Sequence, residues 1–312
     1  VISSAPEYDV ILEEMGAGNE AVICLDAGLA TSMKTHRFAR AFPQRYFNLG
    51  IAEQNAVGVA SGLARRGFIP LMHTFSNFLT RRAHDQMVLS AVWPGCPVKF
   101  IAGSCGVFDG RNGPSHMATD DLATASSMPG MMVVEPGDLR QTRALLDQII
   151  QHPGPAYLRL RRYGQSVDCL GDAFNPGGTS VIQTHDAPQF TLVLGGSMLE
   201  EGLFAAKLVQ DEGLALDILH VAVLKPLDAA PIIASAEKSK CVVTVENHIG
   251  RGGFGESVAL ALGPLGIAQH RFHLPDAFIP AGDATWQLHH CQLDAHSLAR
   301  RMLMLLKGDS YG

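Results

Sequence analysis

Glu53 is the acid whose setting asks for an explanation. It follows the run Tyr46-Phe47-Asn48-Leu49 and Gly50, and it opens a segment, residues 53–64, rich in small and apolar residues. This order predicts a short buried strand, a glycine turn, and a helix with an acid in its first turn, where the helix dipole favours a carboxylate. Gly58 and Gly62 lie four apart, hence on one helical face, so another helix could approach closely there. A capping acid on a tightly packed helix accounts for this stretch. A buried acid that carries protons is the alternative to that plainer reading.

Two further groups could serve such an acid. Phe75 and Phe78 lie three apart just after a strand-like run and can share a face, as core pairs also do. Gly113-Pro114-Ser115-His116 follows another strand-like run and precedes a helical pattern, where open sheets bind ligands. Ser115 is a candidate N-cap there, presenting His116 at a helix start. An ordinary loop histidine is the plainer alternative. The glycines around residues 106–113 form neither a Walker loop nor a GxGxxG fingerprint. No metal-ligand spacing stands out, and His289-His290-Cys291 reads as surface or packing.

The elements that must position these residues alternate. Helical patterns cover 7–15, 78–91, 119–126 and 139–151. Strand runs cover 21–25, 68–72, 98–102, 131–134 and 156–160. Each strand is a continuous apolar run, which implies a parallel sheet covered on both faces. Composition shifts to Gly, Pro, Asn, Ser and Asp near residue 164 and reverts near 188. Strand runs at 190–194, 215–221 and 241–246 then resume, with helices at 199–211, 253–262 and 297–306. We therefore expect an α/β protein of two doubly wound domains, a mostly parallel one and a smaller one. The boundaries are 1–168, a linker at 169–187, and 188–312.

Composition narrows the function. The 312 residues are 47% hydrophobic, enough for a core in each of two domains. A net charge of −6 without any basic run argues against nucleic acid. No apolar run approaches a membrane span, and the first residues lack a signal-peptide pattern. The six cysteines are scattered without CxxC pairs, as in a reduced, cytoplasmic protein.

The motifs become recognisable in their order. Gly-Ile-Ala-Glu-Gln-Asn at 50–55 is followed by Thr74-Phe75 with Phe78, Arg82-Ala83-His84-Asp85-Gln86, Gly113-Pro114-Ser115-His116 and the segment 129–138. Together they resemble the pyrimidine-binding domain of thiamine-diphosphate enzymes of the transketolase group. Lys225-Pro226-Leu227-Asp228, Val245-Glu246-Asn247-His248 and Gly252-Gly253-Phe254-Gly255 resemble the C-terminal domain of the same group. The group binds the diphosphate and its metal through Gly-Asp-Gly followed by Asn, which does not occur here. The resemblance therefore implies the small subunit of a split transketolase. A large N-terminal subunit would carry the diphosphate and Mg2+ (or Ca2+), and this chain no metal. The expected assembly is an α2β2 heterotetramer, its small subunits meeting through the Glu53 helix.

That resemblance assigns roles. Glu53 would hydrogen-bond N1′ of the cofactor's aminopyrimidine, favouring the tautomer whose N4′ takes the thiazolium C2 proton. Ile51, Phe75 and Phe78 would enclose the ring, and His116 would stand near the reacting oxygens. Ser32 and Arg162 match positions that hold a substrate phosphate, and Ala5 falls where another arginine usually stands. Gly103-Ser104 replaces a Thr-His pair, Asn112 a substrate-reading acid, Arg111 a Glu, and Arg81 a third aromatic. With Ser104 and Asn112 in substrate positions, the expected reaction is two-carbon ketol transfer from a ketose or ketose phosphate to an aldehyde, on a non-standard sugar. Two other thiamine-diphosphate readings stay open: a deoxyxylulose-phosphate-synthase-like carboligase and a 2-oxo acid dehydrogenase β-subunit. A non-catalytic scaffold subunit is the alternative from another class.

Overall fold

The apolar runs form strands because they are β-branched or bulky and flanked by turn residues. The structure, a computed structural model, describes residues 7–161, 166 and 168–307. Strands β1 (Val22–Asp26), β2 (Tyr46–Asn48), β3 (Ile69–Phe75), β4 (Lys99–Gly103), β5 (Met132–Val134) and β6 (Ala156–Arg159) are parallel. The next are β7 (Thr179–Gln183), β8 (Phe190–Gly195), β9 (Leu216–Val221), β10 (Val223–Lys225), β11 (Cys241–Ile249) and β12 (Ala268–Leu274). The first sheet runs β10-β5-β6-β4-β3-β1-β2, and the second β12-β11-β8-β9-β7. Only β10 in the first and β7 in the second are antiparallel to their neighbours.

Alternation along β1 shows how both faces of the first sheet are covered. Val22 and Cys24 pack with Ile11, Leu12, Phe38 and Leu145. Ile23 and Leu25 point the other way, toward Ala56, Ala60 and Met87. That second cluster continues into Val193, Leu219 and Val242, so the two sheets share a core.

Three expectations need correction. The region 169–187 is not a bare linker, because β7 within it pairs with β9. Its glycine- and proline-rich flanks disguise a sheet edge. The run at 46–49 is not buried. As edge strand β2 it leaves Phe47 42% exposed. Residues 78–91 are not one α-helix, since π-helical turns at Phe78–Arg82 and Met87–Val92 flank His84–Gln86. Beyond the expected boundary, β10 also adds an edge to the first sheet by pairing with β5.

A buried ion network joins the halves. Arg159 is fully buried; its Nε donates to Asp121 (3.0 and 3.1 Å) and its Nη1 to Glu135 (2.7 Å). Its Nη2 donates to the carbonyls of Ala118 (3.0 Å) and Asn247 (2.8 Å). Tyr157 and Ser197 hydroxyls complete the carboxylates' bonding. Charges this deeply buried persist only when paired and hydrogen-bonded in this way.

Candidate active site

The helix Glu53–Arg65 begins directly at Glu53. Gly50, at φ +70°, makes the turn from β2, and its N–H donates to the Asn48 side chain (3.0 Å). Ala56 and Ala60 let the helix lie close on the sheet. Glu53 is 4% exposed, and its Oε1 accepts from Arg82 Nη1 at 3.0 Å. Among the described residues, nothing lies within 4 Å of where side chains at Gly58 and Gly62 would begin. Ile51 is 79% exposed and lines an open depression with Glu53, Gln54, Asn55, Arg81 and Arg82.

Phe75 ends β3 and is buried; Phe78 starts the first π-helical turn, half-buried. Their ring centroids are 5.5 Å apart. The connection is tied down by Ser76, whose hydroxyl donates to Gly103 O (2.9 Å), and by Asn77, whose Nδ2 donates to Met117 O (2.7 Å). Wide turns of this kind recur at functional sites. This one brings the Arg82 guanidinium over the Phe78 ring, 3.9 Å from its centroid. Arg82 therefore touches both the acid and the aromatic pair. Sequence reasoning quoted its segment but gave it no role, because nothing in the spacing marks a π-turn.

His116 stands edge-on to both rings, 5.9 Å from Phe75 and 5.3 Å from Phe78. Ser115 Oγ lies 2.8 Å from its Nδ1. Ser115 is not an N-cap: the next helix is Asp121–Ser127, and the Ser115 hydroxyl also reaches Asn112 O (3.4 Å). The reason is the turn at Gly113, with φ +72°, which keeps residues 113–118 out of helix.

The expected substrate residues are not all brought together. Ser104 is buried, with φ +62°, and its hydroxyl donates to Asp109 Oδ2 (2.9 Å) and toward His116 O (3.3 Å). It braces the loop. Asn112 is exposed on that loop. Ser32 lines a separate hollow with Tyr8, Met33, Lys34, Gly103 and Arg161. The hollow adjoins the aromatic pair, because a Cβ at Gly103 would sit 2.5 Å from Met33 and 3.7 Å from Phe75. Arg161 stacks on Phe108 (4.0 Å), with Glu200 at 3.8 Å, and burial lowers its pKa. Arg161 is a cation that sequence reasoning passed over for its neighbour. Arg162 and Ala5 lie outside the described residues. Arg81 pairs with Asp120 at 3.0 Å.

Elsewhere, Glu246 is buried against the first turn of the helix Phe254–Leu262, and burial pushes its pKa up to about 8. No group of three or more His, Cys, Asp or Glu among the described residues could hold a metal ion. No helix among them is long and apolar enough to cross a membrane. None of the six cysteines pairs with another.

Comparison with known proteins follows the same division. Residues 7–164 match the family model for the transketolase pyrimidine binding domain, and residues 178–298 that for the transketolase C-terminal domain. A 6-deoxy-6-sulfo-D-fructose transketolase subunit of Clostridium sp. (strain MSTE9) is 37% identical, over 82% of this chain and 79% of that protein. The 1-deoxy-D-xylulose-5-phosphate synthase of Natranaerobius thermophilus is 31% identical over 98% of this chain, which spans 49% of that enzyme. Among solved structures, a split gene transketolase, an inactive β4 tetramer, superposes with a TM-score of 0.86 at 36% identity. That match covers 96% of this chain and 97% of the other.

Proposed function

This chain belongs to the transketolase family, and on that premise we propose that it is the small subunit of a split transketolase. It transfers a two-carbon ketol unit from a ketose to an aldehyde, with thiamine diphosphate as cofactor. A large subunit supplies the diphosphate and Mg2+ or Ca2+ site, and two copies of each chain form the heterotetramer. The solved split gene relative, an inactive tetramer of β-subunits, supports the need for that second subunit.

One observation carries the reading. A buried acid, Glu53, and an aromatic face, Phe78, are bridged by the flat, N–H-bearing guanidinium of Arg82. Those surroundings suit an aminopyrimidine, which also offers a flat face and ring nitrogens to a carboxyl group. Glu53 would hold the cofactor by a hydrogen bond from its carboxyl group to the pyrimidine nitrogen, keeping a proton there. Phe75 and Phe78 would exclude water from the ring, and exposed Ile51 would add apolar contact to it. When bound, the cofactor supplies a nucleophilic carbon and an electron sink for cleaving the ketose C2–C3 bond. His116, at the edge of both rings, stabilises oxygen charge or passes a proton to the reacting hydroxyl.

The hollow lined by Ser32, Lys34 and Arg161 would take the far end of the donor. Two cations there, Lys34 paired with Glu7 and Arg161 with Glu200 at 3.8 Å, suit a ketose whose anionic end displaces those carboxylates. The Clostridium relative's sulfonated sugar suggests that this end can be something other than phosphate. Identity with the synthase keeps a second reading, a pyruvate-using carboligase. Both are tested with the chain mixed with its large subunit, by assaying ketol transfer from ketose phosphates and from 6-deoxy-6-sulfofructose, against carboligation of pyruvate. Turnover of pyruvate alone would replace the transketolase reading with the synthase one.

A further inference from the structure

The loop that carries His116 is closed at its neck by the other half of the chain. Asn247 lies in β11, 140 positions away, and is 1% exposed. Its Oδ1 accepts from Val107 N–H at 3.0 Å, and its Nδ2 donates toward Cys105 O at 3.5 Å. The side-chain amide thus bonds the backbone on either side of Gly106 as a neighbouring strand would. Gly106 is at φ +55°, and a Cβ there would fall 2.1 Å from the Asn247 amide, so no other residue fits. Across the neck, Gly106 N–H donates to Ala118 O at 2.9 Å. Arg159 Nη2 then grips Ala118 O and Asn247 O together. At the far end of the loop, Gly282 N–H donates to Gly110 O at 3.2 Å.

His116 sits two residues from the neck, and its segment is held on the other side by Asn77, whose Nδ2 donates to Met117 O at 2.7 Å. Asn112 and Ser115 are exposed, and Ser104 Oγ reaches His116 O only at 3.3 Å. Burial, the 3.0 Å bond from Val107 and the obligatory glycine place one fixed end of this loop, the neck, at Asn247. We propose that Asn247 is a positioning residue for His116, and that holding this loop is what the C-terminal half contributes to the reaction. The inference rests on the role given to His116 above. Asn247 touches neither the aromatic pair nor Glu53 and acts through the loop alone. A shift of about 1 Å in a group near the reacting atoms costs on the order of a hundredfold in rate. A partly loosened loop should cost less, about tenfold.

The test is a double-mutant cycle in the complex with the large subunit. Asn247→Ala should lower kcat about tenfold with cofactor affinity unchanged within about twofold. In a His116→Ala background the same substitution should lower kcat by less than about twofold, because the group it positions is gone. Hydrogen exchange on the chain alone gives a readout free of any assumption about the reaction. Amides of residues 106–118 should lose protection in Asn247→Ala, while those of β3 and β4 keep theirs. Asn247→Asp, which keeps the acceptor for Val107 and loses the donor to Cys105, is the second variant should the alanine chain not fold. Equal losses of kcat in both backgrounds, or loss of protection across the whole sheet, would overturn the proposal. An inactive wild-type complex with loop protection still dependent on Asn247 would instead remove the transketolase reading.

Discussion

Arg82 Nη1 lies 3.0 Å from Glu53 Oε1, joining a residue that is half exposed to one that is almost wholly buried. The same guanidinium covers Phe78. Glu53 thus keeps a charged partner although its helix packs on an apolar sheet face. The partner comes from the wide turn after β3.

Removing that partner should be felt at the helix start. Arg82→Ala leaves the Glu53 carboxylate with water on one side only. A half-exposed pair of this kind is worth about 1 kcal/mol. A loss of that size lowers Tm by about 2–4 °C in a domain of this class. Arg82→Lys keeps the charge but not the flat contact with Phe78, and should lose less. Calorimetric scans of the three chains check this; an Arg82→Ala chain that melts with the wild type would dissolve the coupling.

Arg159 should be far less forgiving. It is fully buried between Asp121 and Glu135, and its loss leaves two buried carboxylates without their cation. Breaking such a network costs about 3–5 kcal/mol. Arg159→Met should lower the urea midpoint strongly and loosen both sheets, since Nη2 also bonds Ala118 and Asn247. A variant within about 1 kcal/mol of wild type would mean that the network is not what joins the halves.

Stability should depend on pH from both sides. Burial holds His73 and His220 at about 4, below the 6.5 expected of free histidine. Their folded pKa values are depressed, so their contribution is present above pH 6.5 and lost as pH falls through 4. Glu246 goes the other way. Its folded pKa of about 8 stands above the usual 4.5, so its contribution is complete below pH 4.5 and lost as pH rises through 8. Glu246→Gln should therefore gain on the wild type in Tm as pH goes from 5 to 9. Denaturation curves at several pH values test both arms. A constant difference between the two chains would contradict the assignment of Glu246.

Much of this was legible in the sequence, and the particular residues explain why. The strand runs at β1, β3, β4 and β8 were visible because strands buried on both faces are continuously apolar. Glu53 could be placed at a helix start because Gly50 and the small residues after it leave few alternatives. Phe75, Phe78 and His116 meet as the motif order implied. Edge positions were not legible: the strand β2 was expected but as a buried one, and β7, flanked by glycine and proline, was read as linker. Arg82 was hidden by a π-turn, which has no periodic signature. Asn247 was hidden because its partners, Cys105 and Val107, are 142 and 140 residues away, and only the fold brings them together.

The central claim is that Glu53 drives proton removal from a cofactor held between two chains. Exchange of the thiamine diphosphate C2 proton into D2O, followed by quenched flow and proton NMR on the complex with the large subunit, measures that step without any sugar. Glu53→Gln should slow the exchange by about 10²–10⁴-fold while the complex still forms and Tm falls by no more than the roughly 2–4 °C expected from losing the Arg82 pair. Exchange in the Gln variant as fast as in the wild type would contradict it.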